Sequence, residues 1–173
     1  MLNQAEKQTP CINVIFLDVD GVLNNRFSTS RCIGMLGIDD DKVERLAKIH
    51  RSCNCAVVLT STWKTDWYQT DIEDLPPMGQ YLVKKLHKYN ISIRGKTDED
   101  EWKHRGKGIK NWIESCDIPV KSFVILDDET FDYEAEGLMP YLVKTNFYSK
   151  EGGLQDSHVE EAIQILSKQV DKC

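Results

Sequence analysis

The sequence has no run approaching the roughly 18 consecutive apolar residues that a membrane-spanning helix needs, which leaves no candidate span and no expected membrane partner. Its first residues, MLNQAEKQTP, lack an apolar signal core, so export by that route is not expected and a cytoplasmic location is. Positive charge is short as well: 22 Lys and Arg stand against 28 Asp and Glu, a net charge of −6. A broad, non-specific nucleic-acid clamp is basic overall, so any contact with nucleic acid has to come from a local patch. Proline is scarce, at 5, and no stretch is rich in Pro, Gly or Ser, which argues against collagen-like and low-complexity classes and against an internal linker. The six cysteines (11, 32, 53, 55, 116 and 173) include no CxxC pair, and Cys53-Asn54-Cys55 is too tight for a zinc knuckle. They are expected as reduced thiols of a cytosolic protein, with Cys116 packed in the core.

What is present belongs to an ordinary globular chain, 40% apolar and 29% charged over 173 residues. That length suits one domain over 1–173, with 1–10 as a flexible tail. Short apolar runs alternate with helical patterns. Ile12 to Leu17, Ala56 to Leu59, Ile91 to Ile93, Phe123 to Leu126 and Tyr141 to Val143 read as buried strands. Between them, 41–51, 78–89 and 107–115 place apolar residues at helical spacing. A last helix opens at Ser157, with Glu160 completing a capping box. Strands buried on both faces and alternating with amphipathic helices predict a Rossmann-like, three-layer α/β sandwich around a mostly parallel sheet.

Ligands of open α/β sheets bind at the carboxyl ends of the strands. Here those ends read Asp18-Val19-Asp20, Thr60-Ser61-Thr62 and Asp127-Asp128. Neighbouring tips lie about 5 to 10 Å apart. Four carboxylates and a hydroxyl in so small a volume repel strongly, and a divalent cation with oxygen ligands is the natural compensation. With no Cys or His in the set, Mg²⁺ suits it better than Zn²⁺. An acidic strand end alone is as often a solvated loop. Three in one chain are harder to dismiss.

The stretches "DVDGVLN", "VVLTSTW", "RGKGIKNWI" and "FVILDDE" resemble, in order and spacing, the four motifs of the haloacid dehalogenase (HAD) superfamily. The TSTW form and the compact length are similar to the small HAD domains of multidomain RNA-repair proteins. The resemblance implies that Asp18 is a nucleophile forming an aspartyl-phosphate and that Asp20 is the acid and base, the feature that separates phosphatases from dehalogenases. It implies Gly21 for the turn beneath the phosphate, Thr60 as the phosphate-binding hydroxyl with Ser61 as the fallback, and a basic residue at the start of the third helix. Arg105 and Lys107 both qualify there. The metal set implied is Asp18, the Asp20 main-chain carbonyl and Asp128, with Asp127 supporting and Asp132 behind them.

Cap domains of the superfamily are inserted after the first motif or between the second and third. Neither interval holds a separate cap fold, so the site is expected to be open and to favour a macromolecular phosphate, on a nucleic acid or a phosphoprotein, over a small metabolite. Trp63, Trp67 and Tyr68 offer rings that can stack on a base or simply pack, and Arg26 and Arg31 offer contacts to further phosphates. The segment 96–104 reads as an exposed loop, and none of the four histidines receives a role. The leading expectation is an Mg²⁺-dependent phosphomonoesterase. Its rivals are a polynucleotide-end phosphatase of nucleic-acid repair and a non-catalytic module that binds phosphate or Mg²⁺ for partner recognition.

Overall fold

The first strand shows why the sheet is covered on both sides. In the computed structural model, which describes residues 10–98 and 103–168, β1 (Ile12–Leu17) is buried from Val14 onward. Ile15 and Leu17 enter one apolar cluster with Val57, Leu59, Val124 and Leu126. Val14 and Phe16 enter another, with Val58 and Ile125. Successive side chains of a strand point to opposite faces, so one apolar run supplies both cores. β1 lies at the centre of a sheet with β4 (Cys55–Leu59), β5 (Ile93–Lys96), β6 (Val120–Asp127) and β7 (Leu142–Lys144), in the order β5-β4-β1-β6-β7. Every pairing is parallel.

Helices α1 (Asp40–Cys53), α2 (Pro77–His87) and α4 (Asp156–Ser167) pack on the first face through Val43, Leu46, Leu82, Leu86, Val159 and Ala162. Helix α3 (Arg105–Ser115) covers the second through Ile109, with Trp112 and Ile113 beside it. This is the expected three-layer sandwich. Between β1 and α1 the chain adds only a small hairpin, β2 (Arg31–Cys32) and β3 (Met35–Leu36). No separate cap fold stands in either interval among the described residues. No described helix is long and apolar enough to cross a membrane.

Several local expectations need correction. The strand expected at Ile91 begins two residues later, because the Ile91 N–H closes helix α2 on Leu86 O (3.1 Å) after Asn90 adopts φ 59. That bond and the left-handed residue before it form the turn that ends a helix, so the backbone is not yet free to join the sheet. Helix α4 is capped by Gln155, not Ser157: its partner is His158, whose Nδ1 accepts from the Gln155 N–H at 3.1 Å. Cys11 is disulfide-bonded, against the expectation of six reduced thiols, whereas Cys32, Cys53, Cys55 and Cys116 are free. Cys116 is only half-buried, beyond the end of α3. The tail expected over 1–10 falls outside the described residues except for the exposed Pro10, as does the 99–102 part of the loop expected over 96–104.

Candidate active site

The parallel register aligns three strand ends. Leu17 pairs with Leu59 on one side and Leu126 on the other. The residues that follow are Asp18, Thr60 and Asp127, held level by Asp18 N–H to Leu126 O (3.0 Å) and Thr60 N–H to Leu17 O (2.9 Å). All three are buried at the carboxyl edge of the sheet.

A single guanidinium ties two of them together. Arg105, the first residue of α3, donates from Nη1 to Asp18 Oδ1 at 2.9 Å and to Asp127 Oδ2 at 2.7 Å. It is placed there by the helix start: the Asp132 carboxylate accepts from Gly106 N–H (2.7 Å) and Lys107 N–H (3.2 Å), two of the donors a helix leaves unpaired in its first turn. The Phe131 ring covers the guanidinium at 4.1 Å. Lys107, the other candidate cation, is exposed on α3, whereas Arg105 is buried against the two carboxylates. Burial works against the charge on Arg105, but Asp18 and Asp127 outweigh it and raise its pKa.

Asp127 is fully engaged. Besides Arg105 it accepts from Tyr133 OH (2.8 Å) and Glu129 N–H (3.0 Å). It acts as an anchor for the arginine more than as an open ligand. Asp128, half-exposed beside it, lies directly over Gly21: a Cβ on Gly21 would stand 2.3 Å from Asp128 Cγ. Gly21 has φ 82, donates its N–H to Asn24 Oδ1 (3.0 Å) and accepts from Thr145 Oγ1 (2.6 Å). Close approach and a left-handed backbone both require glycine here.

The site is short of positive charge. Burial, and then the Asp127 charge, push the Asp18 carboxyl well above the usual carboxylate range despite Arg105. Burial and the charges of Asp127 and Glu129 push Asp128 up to about 6. Ligand oxygens of Asp18, Asp127 and Asp128 lie within 4.8 Å of one another, a grouping that can hold a metal ion. Three carboxylates against one guanidinium, with oxygen-only donors, fit a hard divalent cation.

Two buried donors at this edge have no hydrogen-bond partner among the described residues, Thr60 Oγ1 and Arg105 Nε. Buried polar atoms left unpaired are costly, and a phosphoryl group between them would satisfy both. Ser61 is occupied differently: it caps the following turn, accepting from the Trp63 N–H at 3.4 Å. Asp20 is not one of the three grouped carboxylates. Its Oδ1 accepts from Asn24 Nδ2 (2.8 Å) and its Oδ2 from Trp63 Nε1 (2.9 Å).

Trp63 is therefore not an open stacking surface; it is 3% exposed, with its indole on Asp20. Trp67 is buried in the core, and the exposed Tyr68 donates to Asp74 O (3.1 Å). Arg31 bonds the carbonyls of Ser28 (2.7 Å) and Ser30 (2.8 Å) within its own loop. Arg26 is exposed, with its N–H on Phe147 O (2.9 Å). Trp63 and Trp67 thus take the packing alternative, and Arg31 is engaged within its own loop. The structure adds Asn24, Phe131 and Tyr133, which the sequence reading passed over. Asn24 could have been noticed three residues after Gly21, whereas nothing in the spacing marks Tyr133.

Residues 14–159 match the family model described as the HAD domain in Swiss Army Knife RNA repair proteins. The chain belongs to that family. No curated protein and no solved structure matches it. The matched span of this HAD domain starts within β1, at Val14, and ends in α4, so it contains every strand end and side chain of the site.

Proposed function

We propose that this HAD domain is an Mg²⁺-dependent phosphomonoesterase that works through an aspartyl-phosphate on Asp18. The observation that carries the reading is the convergence of Arg105 on Asp18, beside the unpaired Thr60 hydroxyl and with Asp20 held separately on its own donors. Asp18, Asp128 and the Asp20 carbonyl are the atoms that would hold the ion, with Asp127 behind them. Bound there, the cation supplies neutralisation of the phosphate and of the crowded carboxylates.

The rest follows from the chain's own groups. Arg105 Nε and Thr60 Oγ1 bind phosphoryl oxygens and fix the phosphorus over Asp18. A carboxylate oxygen of Asp18 attacks phosphorus as the bond to the leaving oxygen breaks, and Asp20 gives that oxygen its proton. Asp20 then takes a proton from a water that attacks the same phosphorus. The bond to Asp18 breaks, and inorganic phosphate leaves.

The family match favours one substrate class, the phosphorylated end of an RNA chain, over a phosphoprotein. A cytoplasmic setting is part of the proposal; four free thiols support it and the Cys11 disulfide weighs against it. The test is turnover of an aryl phosphate and of 3′- and 5′-phosphorylated oligoribonucleotides, with Mg²⁺ and with chelator. The reading expects metal-dependent turnover that falls more than about 10³-fold in Asp18→Asn and about 10²-fold or more in Asp20→Asn. A folded wild type that turns over none of them with Mg²⁺ gives the site to the rival reading, a non-catalytic phosphate-binding module.

A further inference from the structure

We propose that Trp63 is the positioning residue for proton transfer by Asp20. This rests on the phosphatase reading above and adds to it the residue that orients its acid. The two N–H groups on Asp20 come from different parts of the chain. Asn24 reaches Oδ1 from the turn after β1, and the Trp63 indole reaches Oδ2 from the short helical turn after β4. One donor on each oxygen fixes both the position and the rotation of the carboxyl group. A carboxylate has about four lone-pair sites, so one on each oxygen stays open for the mobile proton.

The indole is itself held rigidly. Its ring lies against Tyr81 of α2, with centroids 6.4 Å apart, and the Tyr81 hydroxyl accepts from the Ile38 N–H at 2.9 Å. Trp63 therefore reports to α2 and to the segment before α1, not to a mobile loop end. A buried indole N–H needs an acceptor, and here the acceptor is the one carboxylate whose work is to move a proton.

The chemistry of the leaving group makes this role measurable. The aryloxide or carboxylate leaving group of an aryl or acyl phosphate departs as a stabilised anion and needs little help. When the phosphorus–oxygen bond of an aliphatic ester breaks, the electron pair goes to an alkoxide oxygen, which must receive the Asp20 proton at once. The carboxylate left behind accepts more strongly from Trp63 and Asn24 than the neutral acid did, because hydrogen bonds to an ionised acceptor are stronger. The interaction thus grows along the reaction coordinate, which is what accelerates a step. The terminal phosphate of a ribose or a sugar alcohol is an ester of this kind.

The experiment compares 4-nitrophenyl phosphate with glycerol 2-phosphate in wild type, Trp63→Phe and a variant carrying benzothienylalanine at position 63. That analogue replaces the indole N–H by sulfur and keeps the ring shape, so it remains informative if the Phe variant folds poorly. The expected result is a fall in kcat/KM, which covers only phosphoryl transfer to Asp18 and release of the alcohol, of about 10- to 100-fold on the alkyl ester and only about threefold on the aryl ester. Equal losses on the two esters, or no loss on either, overturn the role of Trp63 while leaving the phosphatase reading in place. A wild type that turns over neither these esters nor the phosphorylated oligoribonucleotides overturns both.

Discussion

A guanidinium with two buried carboxylates on one nitrogen does more to place those carboxylates than to stabilise the fold, since taking three charges out of water costs as much as their attraction returns. Arg105 holds Asp18 level with Thr60, and Tyr133 and Glu129 hold Asp127 under the arginine. Gly21 is the most exacting position by space. Adding one methyl group there sets Cβ 2.3 Å from Asp128 Cγ, at a residue whose φ is 82. Gly21→Ala is expected to cost about 1–2 kcal/mol from the left-handed backbone alone and to swing Asp128 off the acidic cluster. Thermal unfolding should show a modest loss, while the Mg²⁺ needed for half-maximal activity rises about 10-fold or more. An unchanged metal requirement would remove Asp128 from the proposed ligand set.

At the scale of elements, the start of α3 decides where the active cation sits. Asp132 accepts from the Gly106 and Lys107 N–H groups, as a capping side chain does, although it comes from the loop after β6. Asp132→Ala is expected to destabilise the protein by about 1 kcal/mol, the usual loss for a helix cap, and to lower activity by freeing Arg105 to fray with the first turn. Urea unfolding measures the first effect and steady-state kinetics the second; full activity in a destabilised variant would separate the cap from the site. The elements themselves were largely legible. The apolar run ending in Asp18-Val19-Asp20 matched β1, because a strand buried on both faces leaves a continuous apolar signature. The hairpin β2–β3 was not legible. Its turn places Ile33 at φ 50 and Gly34 at φ 80, and a β-branched residue gives no warning of a left-handed turn.

For the whole molecule, the parallel sheet gathers onto one edge residues separated by more than a hundred positions. The strand-end motifs named Asp18, Thr60 and Asp127 because register follows from strand pattern, and pattern is visible in sequence. Stacking and packing both stayed open for Trp63, because the choice depends on where a side chain points across a loop. Asn24 and Tyr133 were missed for the same reason: their meaning lies in which oxygen they reach, at 2.8 Å each. The central claim is that Asp18 becomes phosphorylated. The most direct measurement is borohydride trapping during turnover of Asp20→Asn with Mg²⁺ and substrate, followed by peptide mass spectrometry. Hydride reduction of an acyl phosphate on Asp18 yields homoserine at that position, and the account predicts homoserine at 18 only when substrate is present. Turnover with no modification at 18, or with the modification on another carboxylate, would contradict it.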